Sequence, residues 1–531
     1  MRHRIYFILS LFLVFGCDKD PFPGWGNRGI NYDYGRDLQH EMIVLGDRLE
    51  NPYKTVNVER ALRSLYPTKA EGVKVETNRL YVRFLPKNDR ECSLLEICGV
   101  ELIDHPLDYE IKVEGDYYHD PAIEEGEITW QYAVVPSDFV FPNGVEYEII
   151  DECFIADSNA ETRASGIDWD AVEREAFVLT GNEEMVEDIA LTKAGSSKVK
   201  PAGRITIVDD EWNEGKPFGV AGVCVACNVF VKIAKCYTDR DGYYAMSKSF
   251  SAKPRYRLMF KNAAGFSIGF NFIIVPASLS TLGKAGPEGI NFTITKDCNR
   301  KLFNRCVVNN AAYDYYKRCD ASDMNILPPP SDLRIWLLST SDAGSAAMLH
   351  HGALLDSKSI ESIMGKYVPV IKYFLPDITL GTKDLYSYSD LYSMTVHELA
   401  HASHFSKVGR NYWDKYILYI VKYYIETLGK VYGDGSGNGA GYCEVGEMWA
   451  YYMQSKMMKE RYGGAMPSYG TSFWFYPQIM RDLDSRGIVR SDIFNSMTSS
   501  SIDCQMLKSS LIANNPSKKI IIEQSFSRYG K

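Results

Sequence analysis

Beyond its first fifteen residues the chain has no apolar run long enough to cross a bilayer, which excludes a membrane-spanning helix there. It has no basic cluster, and a net charge of −9 argues against nucleic acid as a partner. It also lacks the doubled C-x-x-C of a structural zinc site. Cys224-Val225-Ala226-Cys227 has Cys236 nearby, but no second C-x-x-C follows. These cysteines sit among Val220, Val223, Val225, Val229 and Val231, a β-rich run, so buried thiols or one local disulfide are expected. The glycine-rich stretch from Gly433 to Gly441 has no strand before it and no Lys-Ser/Thr pair after it. It therefore reads as a flexible connection or cleft lid rather than a phosphate cradle. What is present is ordinary globular material, 45% hydrophobic and 24% charged, in a chain of 531 residues that suggests about three domains.

The patterning along the chain points to a multidomain α+β protein. Residues 31–155 read as an α+β module. Its predicted strands are Arg79 to Leu85, Val100 to Ile103, Tyr132 to Val135 and Tyr147 to Ile150, with a short helix from Glu91 to Cys98. His105 and His119 stand alone there and suggest no chemistry. Residues 156–201 read as a linker with one amphipathic helix, Trp169 to Leu179. Residues 202–297 form an all-β run that opens at Gly203 and passes through Tyr237-Thr238-Asp239-Arg240-Asp241-Gly242-Tyr243-Tyr244. That last group resembles the T-D-x-x-G-x-Y/F hairpin of carboxypeptidase-regulatory-like domains. The resemblance implies a transthyretin-like β-sandwich, a spacer or binding platform without chemistry of its own. A turn before Gly242 explains Asp239 and Asp241 more simply than calcium does. Residues 298–531 are mainly helical, with strands at Leu333 to Leu338 and Asp377 to Thr382 and a helix from Tyr412 to Leu428.

The densest chemical signal is His397-Glu398-Leu399-Ala400-His401, an H-E-x-x-H sequence. On a helix, residues i and i+4 stand one above the other, so both imidazoles reach one metal ion. Glu398 then lies at the rim, placed to take a proton from water beside the metal. Tyr392, Val396, Leu399 and Ala400 fall at the spacing of an apolar helix face, and Ser389 or Asp390 is the expected N-cap. A third ligand must come from elsewhere. The candidates are Glu447, the first choice, and Glu444 one turn earlier, both in Glu444-Val445-Gly446-Glu447-Met448-Trp449-Ala450-Tyr451-Tyr452.

A histidine pair followed by a glutamate helix, with small Ala450 three places after Glu447, resembles the gluzincin metallopeptidases. The resemblance implies a zincin-like domain over residues 298–531 in which His397, His401 and Glu447 hold Zn2+ and Glu398 is the general base for peptide hydrolysis. It also implies that Leu333 to Leu338 is an edge strand aligning an extended peptide. A tyrosine or histidine would stabilise the oxyanion, with Tyr442, Tyr451, Tyr452 and His404 as candidates. Tyr451 stands where these enzymes often carry an acidic residue, so the carboxylate that orients a ligand histidine is missing from that position. His404 lies about 10 Å along the helix from His397, too far to close a tetrahedron with it, and no H-x-x-G-x-x-H run is present. It reads as a cleft-lining, supporting or packed histidine.

Arg2 and Arg4 precede a short apolar stretch from Ile5 to Phe15, the pattern of a signal peptide over residues 1–16. Val14-Phe15-Gly16-Cys17 resembles a lipobox, and Asp18-Lys19-Asp20 resembles the acidic export signal of Bacteroidota surface lipoproteins. The resemblance implies a lipid anchor at Cys17, a tether over residues 17–30, and an outer-membrane or cell-surface location. Without Cys17, eleven of the twelve cysteines remain, so at least one is free or intermolecular. The expectation is a membrane-anchored zinc peptidase, probed against one alternative: a protein- or glycan-binding lipoprotein with a degenerate zincin domain.

Overall fold

The computed structural model describes residues 42–115, 118–124, 128–156, 166–186, 200–270, 279–297, 299–338, 346–348, 377–383, 385, 387–427 and 432–531. The expected signal peptide, Cys17 and the tether lie outside these residues. The protein is a mixed α+β, multidomain structure with a helical C-terminal region. No helix among the described residues is long and apolar enough to cross a membrane.

The N-terminal region holds β1 (Val44–Arg48), α1 (Thr55–Leu65), β2 (Arg79–Leu85), α2 (Asp89–Ile97), β3 (Tyr109–Val113), β4 (Gln131–Pro136) and β5 (Glu146–Cys153). β2 is central, antiparallel to both β4 and β5. Its alternation explains this: Leu80, Val82 and Phe84 face a core shared with Leu95 of α2, whereas Tyr81 faces the main core. The expected strand at Val100 to Ile103 reduces to one bridge, Ile103 with Tyr132. There the chain turns inward at Asp104 and His105. His105 is buried, with Nδ1 2.9 Å from Asp104 Oδ1 and Nε2 3.0 Å from Arg257 Nη2. Arg257 can only donate, so His105 Nε2 accepts and Nδ1 carries the proton. The linker helix, α3 (Trp169–Leu179), forms as expected and packs on α1. Glu173 of α3 takes a hydrogen bond from Tyr53 and a buried ion pair from Lys232, tying the N-terminal module to the β-rich region.

That region contains β6 (Ala202–Ile207), β7 (Phe218–Gly219), β8 (Val223–Val229), β9 (Lys232–Tyr237), β10 (Tyr243–Ala245), β11 (Arg255–Asn262), β12 (Ser267–Phe270), β13 (Leu279–Lys284) and β14 (Phe292–Ile294). β10, β6 and β14 form a small sheet with β7 added to β6, while β8, β9, β11, β12 and β13 belong to a larger one. The Thr238–Tyr243 segment is therefore a crossover between sheets, not a hairpin, because β10 pairs with β6 rather than β9. Asp239 Oδ1 accepts the amides of Asp241 and Tyr243, each at 2.9 Å. Gly242 has φ +85°, and a Cβ there would run into the Ile205 carbonyl. All ten described cysteines are free thiols. Cys224 and Cys227 are three apart on β8 and so point to opposite faces, which prevents them from sharing a metal.

The larger sheet does not stop at residue 297. β12 pairs in parallel with β15 (Arg334–Leu338), β15 in parallel with β17 (Ile378–Gly381), and β16 (Ala346–Met348) closes that end antiparallel to β17. The expectation that Leu333 to Leu338 is an edge strand is thus overturned. Leu333, Ile335, Trp336 and Leu337 are all buried, as a strand covered on both faces requires. Among the described strands β16 is the outermost one at that end, and it lies against the helix that follows β17.

The helices are α4 (Arg300–Asp320), α5 (Tyr388–Val408), α6 (Arg410–Thr427), α7 (Ala440–Tyr462), α8 (Gln478–Ser485), α9 (Arg490–Ser496), α10 (Cys504–Asn514) and α11 (Lys519–Ser527). α5 carries the H-E-x-x-H sequence and packs against α4, α6, α7 and β16. It is consequently buried on nearly every side, not only along the anticipated apolar face. Its N-cap is Ser387, whose side chain accepts the Asp390 amide at 3.0 Å. Neither expected cap, Ser389 or Asp390, takes that place: Ser389 donates to Glu211 at 2.6 Å, and Asp390 supplies the amide that is capped. At the far end of α7, Arg461 lies over the rings of Trp212, Tyr388 and Tyr392 at 4.3, 4.6 and 4.9 Å. Its guanidinium donates to the fully buried Asp209 at 2.9 Å, clamping α5, α7 and the β-rich region together.

Candidate metal centre

α5 and α7 cross so that residues from each converge on one point. His401 Nε2 lies 3.1 Å from His397 Nε2. Glu447 of α7 reaches across, with Oε2 3.4 Å from His397 Nε2 and Oε1 3.4 Å from His401 Nε2. Glu398 offers a carboxylate oxygen within 4.8 Å of ligand atoms on both histidines. All four residues are buried, none more than 3% exposed. The buried group of His397, Glu398 and His401 can hold a metal ion.

The electrostatics of the bare site are those of a coupled pair. Burial alone would lower the pKa of His397, but the neighbouring carboxylate of Glu447 outweighs it and holds that pKa above its usual value. Burial alone would raise Glu447, but the neighbouring His401 and His397 hold its carboxyl well below the usual carboxylate range. Glu447 Oε2 and His401 Nδ1 are buried and have no hydrogen-bond partner among the described residues.

Three residues that sequence reasoning did not single out support this group. Gln454 Oε1 lies 3.1 Å from His397 Nδ1, and Gln454 Nε2 donates to Ser393 Oγ at 2.9 Å. The Tyr416 hydroxyl of α6 donates to Glu447 Oε1 in a short hydrogen bond. Helix periodicity could have flagged two of them: Ser393 precedes His397 by one turn, and Gln454 follows Glu447 by two. Nothing local marks Tyr416, because only the packing of α6 brings it to the site.

The remaining candidates are spread around it. Glu444 turns away, accepting the Cys504 amide at 3.0 Å and pairing with Lys531 at 2.5 Å. Tyr451 sets its ring edge-on to His397, with centroids 4.5 Å apart. Tyr452 packs on Trp449. Tyr442 accepts from Lys415 at 3.1 Å and lines a groove of about 350 Å³ with Arg410, Tyr412 and Ser499. His404 is fully buried beside Tyr412 and Trp413, and neither ring nitrogen has a hydrogen-bond partner among the described residues. Burial, reinforced by nearby His401, pushes its pKa down to about 3. The glycine-rich stretch read as a connection from Gly433 to Gly441 stops at Gly439, the N-cap of α7 at φ +95°, and Gly441 already lies inside that helix.

No family model matches the chain, and no curated protein or solved structure matches it.

Proposed function

We propose that the chain is a zinc-dependent peptidase of gluzincin type. The observation that carries this reading is the triangle formed by His397 Nε2, His401 Nε2 and the Glu447 carboxylate, with sides of 3.1, 3.4 and 3.4 Å. Ligands about 2.0–2.1 Å from one zinc ion at tetrahedral angles are roughly 3.3 Å apart. The donor set of two imidazoles and one carboxylate also suits catalytic zinc. Glu447 Oε2, which accepts no hydrogen bond among the described residues, is the kind of buried atom a cation would satisfy. His397, His401 and Glu447 would hold the ion, and zinc when bound supplies carbonyl polarisation and acidifies water. Glu398, beside the two histidines, takes a proton from the attacking water and returns it to the leaving amide nitrogen. β16, the outermost described strand at that end of the sheet, antiparallel to β17 and lying against α5, offers main-chain groups to which an extended peptide can add. The residues around Cys17 support placing this activity on a membrane surface by a lipid anchor, which metabolic acyl labelling of wild type and Cys17→Ala would test.

The near-complete burial of the site favours one second reading, a binding lipoprotein in which the metal only fastens α5 to α7. Elemental analysis and a chelator-sensitive cleavage assay on a mixed peptide library separate the two. The peptidase reading requires one zinc per chain, cleavage by wild type, and zinc without cleavage in Glu398→Gln. Zinc without cleavage by wild type would leave the structural reading, and absence of stoichiometric zinc would remove both.

A further inference from the structure

We propose that Gln454, anchored by Ser393, is the positioning residue that fixes the ring and tautomer of His397 for metal binding, a neutral amide in the place of an orienting carboxylate. The inference rests on the metal-centre reading above. Gln454 Nε2 donates to Ser393 Oγ at 2.9 Å, which turns the amide oxygen toward His397 Nδ1 at 3.1 Å. A carbonyl oxygen only accepts, so Nδ1 carries the hydrogen and Nε2 keeps its lone pair. That lone pair faces His401 Nε2 and Glu447 Oε2. Gln454 and Ser393 are both buried, so water does not compete for the amide. Tyr451 packs edge-on against the same ring and limits its rotation from another side.

His401 has no equivalent partner on its Nδ1 among the described residues, so the outer support of the two histidines is unequal. Loss of the Gln454 amide should therefore fall on the His397 side of the site alone.

The test is zinc affinity of the full chain, measured by competition with a chromophoric chelator, with the Co2+-substituted absorption spectrum as a geometric readout. Gln454→Met keeps volume and helix propensity but removes the acceptor. It should weaken zinc binding roughly ten- to a hundredfold and change the cobalt spectrum. Ser393→Ala should weaken it less, and the double variant should be no worse than Gln454→Met, because Ser393 acts through Gln454. Gln454→Glu restores an acceptor and should recover affinity, which covers the case of Gln454→Met folding poorly. Unchanged affinity in Gln454→Met, additive effects of the two single variants, or no recovery in Gln454→Glu would each overturn the inference while leaving the metal reading intact. A wild-type chain that binds no zinc overturns both.

Discussion

Glu447 accepts a hydrogen bond from Tyr416 and faces two imidazoles in a buried site. Tyr416→Phe removes the hydroxyl that donates to that carboxylate among the described residues. In metal-free protein it should lower stability by about 1–3 kcal/mol, the cost of a buried acceptor left short of a donor. The loss in thermal melting should shrink once zinc is added, because the cation takes over the carboxylate charge. His404 illustrates the opposite case, a titratable group kept neutral by burial. Its folded pKa, about 3, lies below the usual histidine value near 6.5. Between those values the unfolded chain binds a proton that the folded chain does not. Stability is therefore lost as pH falls below about 6.5, at up to about 1.4 kcal/mol per pH unit from this residue. His105, whose pKa burial also lowers, adds in the same direction. In chelator-treated protein, His404→Phe should show a smaller drop in melting temperature between pH 7 and pH 5 than wild type. An equal drop would mean that His404 is not held neutral.

At the scale of elements, the site is held by how α5 and α7 are pinned at their ends. Ser387 caps α5, and Ser387→Ala should cost about 1 kcal/mol. The Arg461 clamp matters more. Arg461→Met would leave Asp209 buried without its cation, a change expected to cost roughly 3–5 kcal/mol. Adding Asp209→Asn should recover part of that loss, and a double-mutant cycle by thermal or urea denaturation reads the coupling. Additive effects would show that the aromatic rings alone hold Arg461. Elements were also where sequence patterns were most and least informative. Trp169–Leu179 and Arg79–Leu85 formed as read, since their periodicity matches the surfaces they cover. Val100 to Ile103 did not extend into a strand, because the buried Asp104–His105 pair draws the chain away. Leu333 to Leu338 was correctly a strand but wrongly an edge: an apolar run states that both faces are covered, yet not which strands flank it.

For the whole molecule, the governing feature is the sheet shared by residues 202–297 and 298–531. β15 hydrogen-bonds to β12, and α4 lies between β11, β12 and α5. A fragment beginning at residue 298 would expose the edge of β15 and the face of α4. It should fail to fold, giving little secondary structure by circular dichroism and weak dispersion by NMR. A folded, zinc-binding fragment would show that the shared sheet is dispensable. The buried pair of Lys232 and Glu173 and the His105–Arg257 contact likewise join the N-terminal module to this sheet.

The amino-acid order alone determined the local chemistry: two imidazoles and a carboxylate on one helical turn follow from 3.6 residues per turn, whatever surrounds them. It also narrowed the distant acid to Glu444 or Glu447, since both lie on the same helix. Only the tertiary structure turned Glu447 toward the histidines and Glu444 toward Lys531, and brought Tyr416 and Gln454 into place. The reason is physical. Periodicity fixes which residues share a helix face, but the neighbour that face meets is chosen by packing among segments far apart in the chain.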